Sequence, residues 1–547
     1  MIKKYWIIAV AILLSIPETN AQQNTKHPFV WDAANVYFLM TDRFLNGDES
    51  NDTNFNRTKP AARMRGFQGG DLRGIIKKID EGYFDRLGVN AIWFTPVLEQ
   101  IHAPVDEGTG LSYGFHGYWT RDWTALDPNF GTESDLEELV KKAHSHGIRI
   151  IMDAVINHTG PVTSEDPVWP SDWVRTAPQC DYKNYEGNVS CTLVKNLPDV
   201  KTESEAEVAL PEHLVAKWKA EGRYEKETKS LDEFFVRTGY PRTPRFYIIK
   251  WLADYVQKYG IDGYRADTVK HVEESIWGQL KSQCNYAFFQ WKTNNPKSIL
   301  NDDEFFFIGE VYNYGISNGK SFDFGDKKVN YFDFGFNSLI NFEFKQDAEK
   351  GYEFIFSKYS NSLNNELEYK TVLNYLSSHD DGKPYDAKRL KTYEAANKLL
   401  LSPGMSQIYY GDESGRRLTD DLAEGDAKLR TPMNWADIET NPETQKILEH
   451  YQKLGQFRKN HPSVGAGVHK QIRQYPYVFS RGYEEGDIND RVIIALNATK
   501  GFKDIPIASI FKKGTKLRDA YSGQIVEVKR DRVQFESDFE IVLLEEL

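Results

Sequence analysis

Residues 259–274 read YGIDGYRADTVKHVEE, and the fold of the whole chain turns on how they are read. An apolar, β-prone run ends in charged residues that a core does not normally accept. If residues 263–267 form a strand, the two-residue period puts Arg265 and Asp267 on one face and Ala266 on the other. A guanidinium beside a carboxylate favours its ionised form and lowers its pKa. That suits a nucleophile at the end of a barrel strand, and it equally suits an Arg–Asp pair in a core. The stretch alone leaves both readings open.

The rest of the chain narrows them. Its 547 residues suffice for two or three domains and a large core. The net charge is −12 with no basic run, which argues against nucleic acid or an anionic membrane as partner. Aromatic residues make up 14 %, a richness that suits stacking on sugar faces as well as a large core. Three cysteines exclude a disulfide scaffold. The N-terminus has the pattern of an export signal over residues 1–21. Lys3 and Lys4 precede an apolar run at residues 6–16, too short for a membrane span, and Thr19-Asn20-Ala21 offers a small-x-small cleavage site. The mature chain is then expected in an oxidising compartment, the periplasm or outside the cell. There Cys180 and Cys191 could close a short loop and leave Cys284 free, a pairing that sequence alone does not prove.

Outward from the opening stretch, strand-like and helix-like runs alternate. Strands are expected near residues 35–40, 91–95, 148–155, 305–308, 371–376 and 407–410. Helices are expected near 80–87, 136–146, 245–259 and 394–401. Strands regularly followed by helices imply a parallel sheet, and charged residues just past strand ends match the catalytic face of a (β/α)8 TIM barrel. The expected architecture is that barrel over residues 22–158 and 241–460. A loop-rich domain at 159–240 is inserted after the third strand, and an all-β sandwich domain follows at 461–547.

Four separated motifs, DAVINH at 153–158, GYRADTVKH at 263–271, IGEV at 308–311 and SSHD at 377–380, occur in one order on these units. In them the chain resembles the α-amylase family of retaining glycoside hydrolases, over nearly all of residues 35–435, and periplasmic bacterial members above all. The stretches WDAANVYFLMTDRF, LGVNAIWFTPVLEQIH and AHSHGIRIIMDAVINHTG carry that closer likeness. The resemblance implies Asp267 as nucleophile, Glu310 as acid/base and Asp380 as the third carboxylate. It implies His158 and His379 on sugar hydroxyls, and Tyr118 with His116, in FHGYW, under the sugar. Arg265 partners the nucleophile, and Lys270 with His271 lies on the leaving-group side. Retention needs two carboxylates about 5 Å apart, one of them a general acid whose pKa an apolar setting raises. YYGDE at 409–413 and RTPMNW at 430–435 also resemble the maltodextrin-cleaving branches and do not settle substrate size.

The resemblance further implies one or two Ca2+ ions. Asn157, Asp199 and the backbone oxygen of His271 match the ligands of the first, which in the family pins the inserted domain to the barrel. Asn46, Asp48, Asn51, Asp52, Gly69 and Asp71 match the calcium loop of cyclodextrin glycosyltransferases. The expected activity is endo-hydrolysis of α-1,4-glucosidic bonds in starch, glycogen or maltodextrins by a monomer whose partner is the α-glucan polysaccharide or oligosaccharide. The alternatives are a cyclomaltodextrinase, neopullulanase or transglycosylase, and a glucan-binding accessory protein. Retention of all three carboxylates argues against the last.

Overall fold

A closed barrel of eight parallel strands forms the centre of the computed structural model, which describes residues 27–547. The segment expected to be an export signal lies outside them. The strands are β1 (Asn35–Leu39), β2 (Ala91–Phe94), β3 (Arg149–Ala154), β4 (Gly263–Ala266), β5 (Phe306–Gly309), β6 (Ser338–Asn341), β7 (Thr371–Tyr375) and β8 (Met405–Tyr409). Each lies beside its sequence neighbours, and β8 closes onto β1. Every residue in them is buried, as parallel strands covered by helices must be.

The larger helices are α1 (Leu72–Asp80), α2 (Glu133–Ser145), α3 (Glu212–Ala220), α4 (Tyr224–Thr238), α5 (Pro244–Tyr259), α6 (Glu274–Asn294), α7 (Tyr352–Asn364), α8 (Thr392–Leu400) and α9 (Pro442–Asn460). Their ends follow local chemistry. Asp71 caps α1 by accepting from the Gly74 amide. Thr132 and Asp135 form a reciprocal capping box on α2. Pro244 opens α5, and Gly260, at φ 76°, closes it.

Two expectations are corrected, and the account of the insertion is refined. The first helix does not run over residues 80–87. It ends at Asp80, and Gly82, at φ 67°, breaks the chain before a short turn at Tyr83–Arg86. The repeat is interrupted between β5 and β6, where the described residues form 3-10 turns at Ile316–Asn318 and Tyr331–Phe334 and a small hairpin pairing Phe322–Asp323 with Lys328–Val329, but no α-helix. The inserted segment is loop-rich only in its first half. That half holds a two-stranded ladder of Val174–Arg175 with Asp199–Val200 and a Cys180–Cys191 disulfide, while Cys284 is buried and free. The second half is α3 and α4, which bury Leu214, Trp218, Leu231, Phe234 and Phe235.

After α9 the chain is antiparallel β. A six-stranded sheet runs in the spatial order Val468–Arg473, Tyr477–Glu485, Ile488–Leu496, Val542–Glu546, Lys516–Asp519, Ile525–Glu527. Gly501–Pro506 pairs with Arg532–Ser537 as a second layer. Ile505, Val533 and Phe535 of that layer share one core with Ile493, Leu517 and Val542 of the larger sheet.

Candidate active site

The C-terminal ends of β3, β4, β5 and β7 bring the charged motifs together. Register pairs Arg265 of β4 with Asp153 on the β3 side and, on the β5 side, with Ile308, two residues before Glu310. Its guanidinium is 1 % exposed and donates to Asp153 Oδ1 (2.8 Å) and Asp267 Oδ1 (2.7 Å) through Nη1. Nη2 reaches Glu310 Oε2 at 2.9 Å. Asp267, one residue beyond β4, anchors its amide on the Ala154 carbonyl, and the Glu310 amide anchors on Ala266.

These carboxyls differ in environment. Burial pushes Glu310 well above the ordinary carboxyl range. The negative charges of Asp267 and Asp380 push the same way, against Arg265. Burial also raises Asp153, to about 6, against the pull of Arg265. Asp380 is 43 % exposed at the open side of the mouth, where Ser378 Oγ donates to its Oδ1 at 3.1 Å.

The aromatic and imidazole groups surround this centre. Tyr118 Oη donates to Asp153 Oδ2 (2.9 Å), and its ring stacks on His379 with centroids 5.3 Å apart and lies parallel to His116 at 5.9 Å. Gly117, at φ 91°, is required here, since a Cβ would meet the Pro96 carbonyl at 2.1 Å. His158 Nε2 contacts the Tyr118 carbonyl at 3.1 Å. Burial lowers the pKa of His116, His158 and His379, the last to about 4, so all three are neutral imidazoles at neutral pH. His271 Nδ1 contacts the Asn188 carbonyl of the insertion at 2.9 Å, and burial lowers its pKa to about 4. Lys270 lies over the rings of Tyr312 and Phe322. Burial lowers its pKa against the charge of Glu310.

The expected calcium ligands fall in two other places. The side-chain amide of Asn157 faces two acceptors, Asp199 Oδ1 at 3.2 Å and the His271 carbonyl at 2.9 Å. Its NH2 can donate to both, or its oxygen can join them around a cation. Burial raises Asp199 to about 9 with Arg175 as its nearest cation, so an ionised Asp199 calls for further positive charge. These oxygens therefore fit calcium. In the second cluster Asn46 Oδ1 and Asn51 Oδ1 are buried acceptors without a donor among the described residues. Gly69 is at φ 85°, and a Cβ there would meet Asn46 Nδ2 at 2.4 Å and Asp52 Oδ1 at 2.7 Å. That too fits an ion held by hard oxygens. Asp48 is turned to Ser50, accepting from its amide and hydroxyl. Asp71 is saturated by Gly47 N, Gly74 N, Asp48 N and Asn51 Nδ2. Each set joins one carboxylate, Asp199 or Asp52, to amide and backbone oxygens, and no cluster of three or more His, Cys, Asp or Glu side chains suited to a metal occurs among the described residues.

Several mouth residues carry no role in the sequence reading. Asp153 opens DAVINH and takes donors from Arg265, Trp93 Nε1 and Tyr118. Its place in an apolar strand marks it as a buried carboxylate, but the pairing with Arg265 comes from the barrel register. Trp93, Ile340, Phe342, Tyr375, Ser378 and Gln407 line the mouth, and Arg430 Nε donates to the His379 carbonyl at 2.8 Å. Gln407 and Arg430 are distant in sequence from the four motifs, and only the closed barrel brings them in.

A parallel (β/α) barrel with paired carboxylates bound to one arginine at the mouth of its strands is a glycoside hydrolase architecture. The chain belongs to the α-amylase family: the model of the "Alpha amylase, catalytic domain" matches residues 38–467. It is 35 % identical to the periplasmic alpha-amylase of Escherichia coli (strain K12), over 87 % of this chain and 73 % of that one. It is 25 % identical to a cyclomaltodextrin glucanotransferase of Thermoanaerobacterium thermosulfurigenes, over 84 % of this chain and 59 % of that one. An Anoxybacillus alpha-amylase crystal structure shares the fold with a TM-score of 0.63 at 24 % identity, covering 94 % of this chain and 99 % of that chain.

Proposed function

We propose that the protein hydrolyses internal α-1,4-glucosidic bonds of starch, glycogen or maltodextrins with retention at the anomeric carbon. The observation that carries this is the single Arg265 guanidinium bonded to both Asp267 and Glu310. Carboxylates held at one guanidinium suit the retaining spacing of about 5 Å better than the wider inverting one. Glu310, kept protonated by burial, gives its proton to the leaving glycosidic oxygen. Asp267 attacks the anomeric carbon and forms a glycosyl ester. Glu310 then takes a proton from the incoming water, which releases the sugar. Asp380 and the neutral imidazoles of His116, His158 and His379 hold the hydroxyls of the sugar over Tyr118 and favour its distorted ring. Lys270 and His271 contact the leaving side.

Calcium would be held by Asn157, Asp199 and the His271 carbonyl, joining the insertion to the turn after Asp267. A second ion would be held by Asn46, Asn51, Asp52 and Gly69, with Asp48 and Asp71 shaping the loop. Its contribution is to stability and position. The reading includes export, supported by the apolar run at residues 6–16 and the name of the Escherichia coli relative, and a monomeric chain. No helix among the described residues is long and apolar enough to cross a membrane.

Asp267→Asn and Glu310→Gln are expected to cut starch turnover by orders of magnitude with the fold intact. Near-wild-type rates in either variant sink the proposal. A transglycosylase is the second reading, favoured by the glucanotransferase likeness. A time course of products on amylose, cyclodextrin and pullulan separates it from endo-hydrolysis.

A further inference from the structure

Asp380 stands on a loop that leaves the barrel at the end of β7 and returns where the Tyr385 amide bonds the Leu376 carbonyl at 2.9 Å. Asp380, Gly382 and Lys383 are exposed, and a Cβ on Gly382 would meet nothing within 4 Å. The apex of the loop has little packing of its own, so side-chain bonds must hold it. Before Asp380 the backbone is fixed by Arg430, whose Nε donates to the His379 carbonyl at 2.8 Å. After it stands Asp381, whose side chain is 12 % exposed.

Asp381 Oδ2 accepts from Tyr375 Oη at 2.7 Å and from Lys345 Nζ, and Oδ1 accepts from the Lys383 amide at 3.2 Å. Tyr375 is the last residue of β7, and Lys345 sits on the short helix Phe344–Asp347 after β6. Two neighbouring units of the barrel thus grip one carboxylate. The Tyr375 ring is 1 % exposed, packs edge-to-face on Phe342 with centroids 5.7 Å apart, and lines the mouth with Glu310 and Asp380. The hydroxyl is therefore aimed by a fixed ring. The cation matters as well. Asp380 and Asp381 are consecutive carboxylates, and an unpaired Asp381 would be repelled by Asp380 and drawn out to water. Lys345 cancels that charge. Its neighbours Glu343 and Asp347 are taken by Lys358, which leaves Lys345 to Asp381.

We propose that Lys345 and Asp381 are positioning residues for Asp380: with Tyr375 they clamp its loop so that the Asp380 carboxylate meets the distorted sugar ring. The inference rests on the hydrolase reading for what Asp380 grips, and on geometry alone for the clamp. A grip on the distorted ring is strongest in the transition state, so loosening it lowers kcat more than it changes KM. In the full chain, Lys345→Met is expected to cut kcat on maltodextrin about tenfold with KM within about twofold. Lys345→Arg keeps the cation and is expected to run near the wild-type rate. Tyr375→Phe removes only the hydroxyl and is expected to show the same split between kcat and KM. Hydrogen exchange reads the loop without substrate. The amides of residues 380–383 should exchange faster in Lys345→Met than in wild type or Lys345→Arg. Unchanged exchange overturns the clamp whatever the activity, and faster exchange with unchanged kcat overturns the positioning role. A wild-type chain inert on maltodextrin, with the exchange difference intact, overturns the hydrolase reading and the role resting on it, and leaves the clamp standing.

Discussion

The amide of Thr268 donates to Glu310 Oε2 at 2.9 Å from a backbone at φ 49° and ψ 40°. A β-branched residue in the left-handed region costs on the order of 1–3 kcal/mol. The surrounding structure holds it there because the turn aims that N–H at the carboxyl one strand away. The Val269 amide, one residue on, bonds the Glu310 carbonyl at 3.0 Å. The end of β4 and the carboxyl proposed as the general acid are thereby locked together.

Glu310 must carry a proton to act as an acid, so activity falls as pH rises through its pKa. Burial is the largest cause of its raised value, and the charge of Asp380 adds to it. Asp380→Asn removes that charge and lowers the pKa. The alkaline limb of residual kcat/KM is expected to move to lower pH in this variant. An unmoved limb would show that Asp380 does not act on Glu310 through its charge.

Asp153 is 1 % exposed and accepts from Arg265, Trp93 and Tyr118. Asp153→Ala leaves a buried guanidinium short of one anion and two donors unpaired. A loss of about 3–5 kcal/mol is expected in chemical denaturation. KM should rise as well, because Tyr118 loses its anchor. Asp153→Asn, which keeps an acceptor, should lose less. Equal midpoints for Asp153→Ala and wild type would refute the account.

The barrel was legible where its strands end in charge. Asp267, Glu310 and Asp380 each follow a β-prone run, and motif order supplied the rest. β6 was not legible, since Ser338–Asn341 sits in the aromatic run FGFNSLINFEF and a strand buried on both faces shows no alternation. Helices α3 and α4 are hard to read because few of their positions face the core, Leu214 and Trp218 in one and Leu231, Phe234 and Phe235 in the other. Asp153 was read as part of a motif without a partner, for register is a property of the closed barrel. The orphan oxygens of Asn46 and Asn51 likewise emerge only when the loop folds over Gly69.

His461 joins the barrel to the β domain. Its ring, 1 % exposed, contacts Asp490 at 2.8 Å and Glu545 at 2.5 Å. Burial opposes its charge, but the bonds to the two carboxylates outweigh burial and raise its pKa above 6.5. The stabilisation is then fully present below about pH 6.5, the unfolded value, and fades as pH rises through the folded one. Asp490 and Glu545 are shifted down by the same contacts, against burial, so their share is lost at the acid end. The denaturation midpoint of His461→Gln should lag wild type most near pH 5–6, and the gap should narrow toward pH 9. A gap constant with pH would assign His461 to packing alone.

Calcium bound at both clusters would stabilise the native chain by mass action, about 3 kcal/mol per site at a hundredfold excess over Kd. Chelation is therefore expected to lower the melting temperature. The two sites separate by mutation. Asp199→Ala should remove the part that ties the insertion to the turn after Asp267, and Asn51→Ala the part beside α1, each variant retaining the other response to chelator. Asp199→Ala should also expose the peptide bonds around Asn157 to hydrogen exchange, whereas Asn51→Ala should not, because its loop packs on Gly69 and α1. A melting curve unchanged by chelator after confirmed removal of metal would leave Asn157 to pair with Asp199 and His271 through its NH2 alone.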